Sequence, residues 1–214
     1  MQIKICGITN LEDALLAQQL GANAVGFIFY KKSERYISPS NAAEIVSSLS
    51  PFFLKVGVFV NSQAKEINRI AAKAKLNLIQ LHGDEPPALI NEIILPVIKA
   101  FRIKNDFDFS SVKNYNCSGY LFDTFSSSQI GGTGKSFDWN LIPKEILNKS
   151  IIAGGITSGN INEVAKINPS GIDVSSSLEI YPGKKDKSKM VDIFLRFIKI
   201  GVPLVNNDEP SNAP

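Results

Sequence analysis

An α/β chain folded as a single-domain (β/α)8 TIM barrel is the architecture this sequence predicts, on three observations. Eight short apolar and β-branched runs recur along 214 residues, helical patterns follow most of them, and the length sits near the lower limit for eight such units. A doubly wound open sheet has the same local grammar and stands as the alternative fold.

The runs fall at residues 3–6, 24–29, 54–60, 78–81, 97–101, 120–122, 151–153 and 172–174. Several are apolar at consecutive positions, as strands covered on both faces require. The first helix starts near Asn10, a good cap, places Leu11, Ala14, Leu15 and residues 17–20 on one face, and stops at Gly21. The second opens at Ser38-Pro39, with serine as cap and proline in the first turn, and carries Ala42, Ala43, Ile45, Val46 and Leu49. A third covers 63–75, with Ile67, Ile70 and Ala71 at i, i+3 and i+4. Further helices are expected at 87–94, 140–147, 160–167 and 188–200, and a weakly patterned one at 107–112. The domain thus spans 1–200, and 201–214, rich in Pro, Asn and Asp, reads as a loose C-terminal tail.

Composition narrows the function classes. With 23 Lys plus Arg against 20 Asp plus Glu, the net charge of +3 argues for neither nucleic-acid nor membrane binding, yet it tolerates a phosphorylated substrate. Cys6 and Cys117 are the only cysteines, which excludes a disulfide framework and a thiolate metal cluster; the single His82 excludes a multi-histidine metal site. The opening residues lack a signal-peptide pattern and no apolar run is long enough to span a bilayer. The expectation is a cytoplasmic, cofactor-independent globule acting on a small molecule, as a monomer or a homodimer.

In a parallel barrel, chemistry sits on the loops after the strands' C-terminal ends. Cys6 ends the first run, where a thiolate can act as base or nucleophile. Asp123 ends the sixth, too far ahead of the next expected helix for capping to explain it. Arg35 lies in an aromatic-bearing loop and suits bidentate binding of a carboxylate. His82 suits substrate binding or loop orientation, whereas Asp84 and Glu85 read as caps of the following helix. Two clusters suit phosphate: Gly154-Gly155 after the seventh run, and Asp173, Ser175, Ser176 and Ser177 around the end of the eighth. Gly134-Lys135-Ser136 is not a P-loop, because that motif needs glycine where Gln129 stands. Residues 131–135 read instead as a mobile lid, and Phe137 and Trp139 as core or loop anchors.

These residues belong to longer segments: KICGITN at 4–10, GFIFYKKSERYISP at 26–39, VGVFVN at 56–61, QLHGDE at 80–85 and FDT at 122–124. GGTGKSFDW at 131–139, AGGI at 153–156, DVSSSLE at 173–179 and PGKKD at 182–186 continue the series. Together the segments resemble, in family order, the phosphoribosylanthranilate isomerases, (β/α)8 enzymes of tryptophan biosynthesis. The resemblance implies an intramolecular oxidoreduction (an aldose–ketose isomerisation). N-(5-phosphoribosyl)anthranilate becomes 1-(2-carboxyphenylamino)-1-deoxyribulose 5-phosphate by an acid–base Amadori rearrangement, without a cofactor. By motif match it makes Cys6 the general base and Asp123 the general acid, and it gives Arg35 the anthranilate carboxylate. The AGGI and DVSS segments take the phosphate. Where the family usually reads Asp-Val-Ser-Ser-Gly, this chain has Ser177, a departure that bears on phosphate affinity. Two competing readings are a phosphosugar isomerase or epimerase using two aspartates, which Cys6 disfavours, and a non-catalytic phosphosugar-binding module, which intact Cys6, Arg35 and Asp123 disfavour.

Overall fold

The computed structural model describes residues 1–104, 106–124 and 138–201. Its strands are β1 (Gln2–Cys6), β2 (Ala24–Ile28), β3 (Leu54–Phe59), β4 (Leu78–Leu81), β5 (Val97–Ile103), β6 (Gly119–Thr124), β7 (Ser150–Ile152) and β8 (Gly171–Val174). They pair in chain order, all parallel, and β8 returns to β1 with Lys4 opposite Asp173, so the sheet closes. Closure removes the two free edges that an open doubly wound sheet would keep, and it overturns that alternative.

The helices are α1 (Leu11–Gln19), α2 (Pro39–Ser47), α3 (Ala64–Lys73), α4 (Ile161–Lys166) and α5 (Lys187–Gly201). Asn10 caps α1 by accepting from the Asp13 N–H at 2.9 Å, and Ser38 caps α2 by accepting from the Asn41 N–H at 3.1 Å. Three expected helices are instead short 3₁₀ turns. The stretch at 87–94 tightens to Pro87–Glu92, hemmed between Pro86 and Pro96, and the one at 107–112 becomes Phe109–Asn114. The 140–147 helix splits into Trp139–Leu141 and Lys144–Lys149, because Pro143 lacks an N–H and disfavours helical backbone at the residue before it. A hairpin not expected from the sequence, β9 (Glu179–Tyr181) and β10 (Lys184–Lys185), turns at Pro182-Gly183. The segment read as a lid (131–135), Phe137 and, beyond Gly201, the C-terminal tail lie outside the described residues. Among the described residues no helix is long and apolar enough to cross a membrane.

Alternation along the strands separates two cores. One parity, including Ile3, Ile5, Val25, Phe27, Ile79, Leu81, Phe122, Ile152 and Ile172, packs outward into the main cluster with the helices. Each such side chain contributes about 1.5–3 kcal/mol by burial. The other parity fills the barrel with a small plug of Ile98, Ala100, Leu121 and Ala153. Two residues beyond the plug on that same inward parity lies Asp123; Lys4 and Cys6, Gln80 and His82, and Asp173 share the parity on β1, β4 and β8. The site is therefore the top of the inner core.

Candidate active site

A cavity of about 780 Å³, its mouth included, opens at the C-terminal end of the strands. Cys6, Arg35, His82, Asp123, Gly154, Gly155, Asp173, Ser175, Ser176 and Ser177 all line it, so the residues singled out from sequence converge on one place. Its size suits a small-molecule ligand.

Cys6 is buried beside Lys4 and Asp173. Lys4 and Asp173 face each other across the β1–β8 seam, with Lys4 Nζ 2.8 Å from Asp173 Oδ2. Asp173 Oδ1 has no hydrogen-bond partner among the described residues. On the other side, Cys6 is in register with Gly26 of β2. A Cβ on Gly26 would come within 2.7 Å of the thiol sulfur and 3.2 Å of Lys4 Nζ, so glycine there makes room for both groups. Burial pushes the Cys6 thiol up from its ordinary range and the Asp173 carboxylate adds to this, while Lys4 and Lys185 pull the other way. Burial works against a charged Lys4, but Asp173 and Cys6 more than offset it and hold the ammonium above its ordinary value. The resting trio is thus a thiol beside a lysinium–carboxylate pair.

Opposite stands Asp123, 5% exposed at the end of β6. His82 Nε2 lies 3.3 Å from Asp123 Oδ2, and Gln80 Nε2 lies 2.8 Å from His82 Nδ1. Gly154 takes a left-handed φ of +80°, and a Cβ there would meet Asp123 Oδ1 at 2.6 Å. Any side chain at this position would be strained and would also displace the carboxyl.

Arg35 reaches the cavity from the loop after β2, and its guanidinium is gripped by Glu179 of β9. Nε donates to Oε1 at 2.9 Å and to Oε2 at 3.1 Å, and Nη2 donates to Oε2 at 2.7 Å. Lys185 Nζ, also buried, donates to Glu179 Oε1 at 2.9 Å and to the Ser175 carbonyl at 3.2 Å. Burial opposes ionisation of Glu179, yet the Arg35 hydrogen bonds and Lys185 keep its carboxyl below the ordinary range. Burial lowers Lys185 in spite of Glu179. The hydrogen bonds of Arg35 to Glu179 strengthen its hold on its own proton.

The two glycines of the β7 loop have φ of +80° and +68°. Ser175 Oγ donates to the Cys6 carbonyl at 3.1 Å, and Ser177 Oγ donates to the Ile156 carbonyl at 2.5 Å. Ser177 is not among the residues with positive φ, so serine fits this backbone without strain and ties the β8 loop to the β7 loop.

One expectation needs correction. Asp84 and Glu85 do not cap the turn that follows, which has Pro86 at its cap position and no side-chain cap bond. Asp84 pairs with Arg102, and Glu85 is drawn inward by Lys99 at 2.8 Å and by the N–H groups of Asn61 and Gly83. Trp139 packs, partly buried, against the outer core. Gln80, Glu179 and Lys185 carry contacts at the site that sequence reasoning did not single out. The signal for Gln80 was its position two residues before His82 on one strand; for the other two it was the Pro-Gly turn between short β runs.

Comparison with known proteins places this chain in a family. Residues 3–196 match the family described as N-(5'phosphoribosyl)anthranilate (PRA) isomerase. The N-(5'-phosphoribosyl)anthranilate isomerase of Citrifermentans bemidjiense is 42% identical over 203 residues, covering 94% of this chain and 98% of that protein. The crystal structure of the Thermotoga maritima phosphoribosyl anthranilate isomerase is 41% identical, with a TM-score of 0.86 over 94% of this chain and 100% of that one. A phosphoribosyl anthranilate isomerase in complex with reduced 1-(o-carboxyphenylamino)-1-deoxyribulose 5-phosphate is 39% identical, with a TM-score of 0.84 over 93% and 99% of the two chains.

Proposed function

This chain belongs to the N-(5'-phosphoribosyl)anthranilate isomerase family, and from that premise we propose that it performs the Amadori rearrangement of tryptophan biosynthesis with Cys6 as base and Asp123 as acid. The observation that carries the reading is that a thiol and a carboxyl group, from β1 and β6, line one cavity together with the glycine and serine loops after β7 and β8. The phosphate would rest on Gly154, Gly155, Ser175 and Ser176, where left-handed glycines let backbone N–H groups approach an anion. Asp173 lines the same end of the cavity, but its pairing with Lys4 favours a role in tuning Cys6 over contact with an anion of like charge. Arg35, held by Glu179, supplies the charge for the anthranilate carboxylate.

Asp123 gives its proton to the furanose ring oxygen as the bond from that oxygen to C1 breaks. The anthranilate nitrogen lone pair then forms the C1=N iminium. Cys6, as thiolate, removes the proton from C2, and the C–H electrons neutralise the iminium to give an enaminol. Tautomerisation leaves the ketone at C2 and a proton on C1. Burial and Asp173 keep Cys6 as a thiol at rest, so Lys4 and the developing iminium charge are the groups that favour the thiolate. The reading implies a small-molecule phosphoribosyl substrate and residence in the cytoplasm.

The test follows the fluorescence of phosphoribosylanthranilate as it is consumed. Cys6→Ala and Asp123→Asn should each lower kcat by roughly 10²–10⁴-fold or more with modest change in KM, and Arg35→Ala should mainly raise KM. Near-normal turnover in either of the first two removes that residue from its role.

A further inference from the structure

We propose that Gln80 is a positioning residue that decides which ring nitrogen of His82 carries the proton, and through His82 which oxygen of Asp123 carries the proton to be transferred. The proposal rests on the reading of Asp123 as the acid. Gln80 and His82 are two residues apart at the end of β4, so their side chains share the barrel interior. Amide, ring and carboxyl form one line: Gln80 Nε2 to His82 Nδ1 at 2.8 Å, then His82 Nε2 to Asp123 Oδ2 at 3.3 Å.

An amide N–H can only donate. In this arrangement His82 Nδ1 accepts, the ring proton resides on Nε2, and it is directed at Asp123 Oδ2. Oδ2 is thereby engaged as an acceptor, which leaves Oδ1, the oxygen beside Gly154, to bear the acidic proton. Once the proton has left, the same N–H supports the carboxylate. The reverse amide orientation would make Nδ1 the donor and leave Nε2 with only a lone pair.

A second observation separates this from ordinary packing. Gln80 is 1% exposed and lines the cavity, yet its Oε1 has no hydrogen-bond partner among the described residues. An unpartnered buried acceptor is destabilising, and a purely structural role for the amide does not account for it. Turned this way, the amide donates to the ring and keeps an acceptor free for a substrate hydroxyl.

His82 is the only histidine in the chain, so NMR of the imidazole nitrogens reports one ring without ambiguity. The wild-type protein should show a protonated Nε2 and an unprotonated Nδ1. Gln80→Met, which removes the donor at similar volume, should give a mixture of tautomers and lower kcat about tenfold with KM little changed. Gln80→Glu, whose carboxylate accepts from Nδ1, should move the proton to Nδ1 and lower kcat about 10²-fold, the lower end of what a general acid contributes. A protonated Nδ1 in the wild type overturns the proposal, and that spectrum needs no variant to fold. Ring signals unchanged in both variants, or a switched tautomer with kcat intact, overturn it as well. Asp123→Asn measured alongside keeps the two claims apart: unaltered turnover there removes the acid, whereas the His82 spectrum judges Gln80 on its own.

Discussion

Two lysine–carboxylate pairs are buried in this molecule at the same 2.8 Å, one on each side of the barrel wall. Lys99 and Glu85 lie on the outer side. Lys99 Nζ also donates to the Gly83 carbonyl at 2.7 Å and sits over the rings of Phe101 and Tyr115. Both oxygens of Glu85 accept from the Gly83 N–H at 3.0 Å, and Oε1 takes the Asn61 N–H at 2.9 Å. Lys4 and Asp173 lie on the inner side beside a thiol, Asp173 lines the cavity, and its Oδ1 has no partner among the described residues. Burial and charge are alike in the two pairs. Strand parity and unmet hydrogen-bonding capacity are what separate a pair that holds a loop from one that tunes a reactive group.

The largest expected effect tests the outer pair. Lys99→Met strands the Glu85 charge in a dry setting and should lower unfolding free energy by about 3–5 kcal/mol in a urea titration, with kcat of the folded enzyme unchanged. A loss of turnover without a loss of stability would break the contrast.

The inner pair should respond in the opposite currency. Lys4→Met removes the nearest positive charge from Cys6 and should lower kcat/KM at neutral pH by roughly tenfold, part of the 10²–10⁴ that a general base contributes. The direction with pH follows from the raised thiol: activity that needs thiolate increases as pH climbs toward the Cys6 pKa. Lys4→Met should move that rising limb to higher pH. Asp173→Asn, which removes a charge that opposes ionisation, should move it to lower pH. Limbs that shift together, or not at all, would separate Cys6 from this pair.

The smallest effect belongs to a third pair outside both environments. Asp84, with 75% of its side chain exposed, meets Arg102 at the surface. Asp84→Asn should change stability by less than about 1 kcal/mol, and added salt should shrink the difference further.

Much of this was legible along the chain, and the exceptions have local causes. Runs such as residues 120–122 and 151–153 are apolar at consecutive positions, and these mark buried strands whatever the partner. The Asn10 and Ser38 caps act within three residues, so their chemistry is visible locally. The expected 140–147 helix ran across Pro143, where the missing N–H decides the matter. Glu85 looked like a helix cap because caps favour acids, and only the nearness of Lys99 on the next strand turned it inward. Gln80 read as one more strand residue until His82 and Asp123 were seen in line with it.

The sequence by itself determined the alternation of strand and helix and the set of polar residues that end the strands. Those are short-range properties, fixed by side-chain period and turn chemistry. Tertiary structure alone decided which of these groups meet. Lys4 finds Asp173 because the last strand closes on the first, and Arg35 finds Glu179 across 144 residues because a hairpin folds back over the barrel mouth. Of the charges around Cys6, Lys4 is a neighbour on the same strand, but Asp173 and Lys185 come from the far end of the chain, and no local pattern can specify a field that is complete only once the sheet has closed.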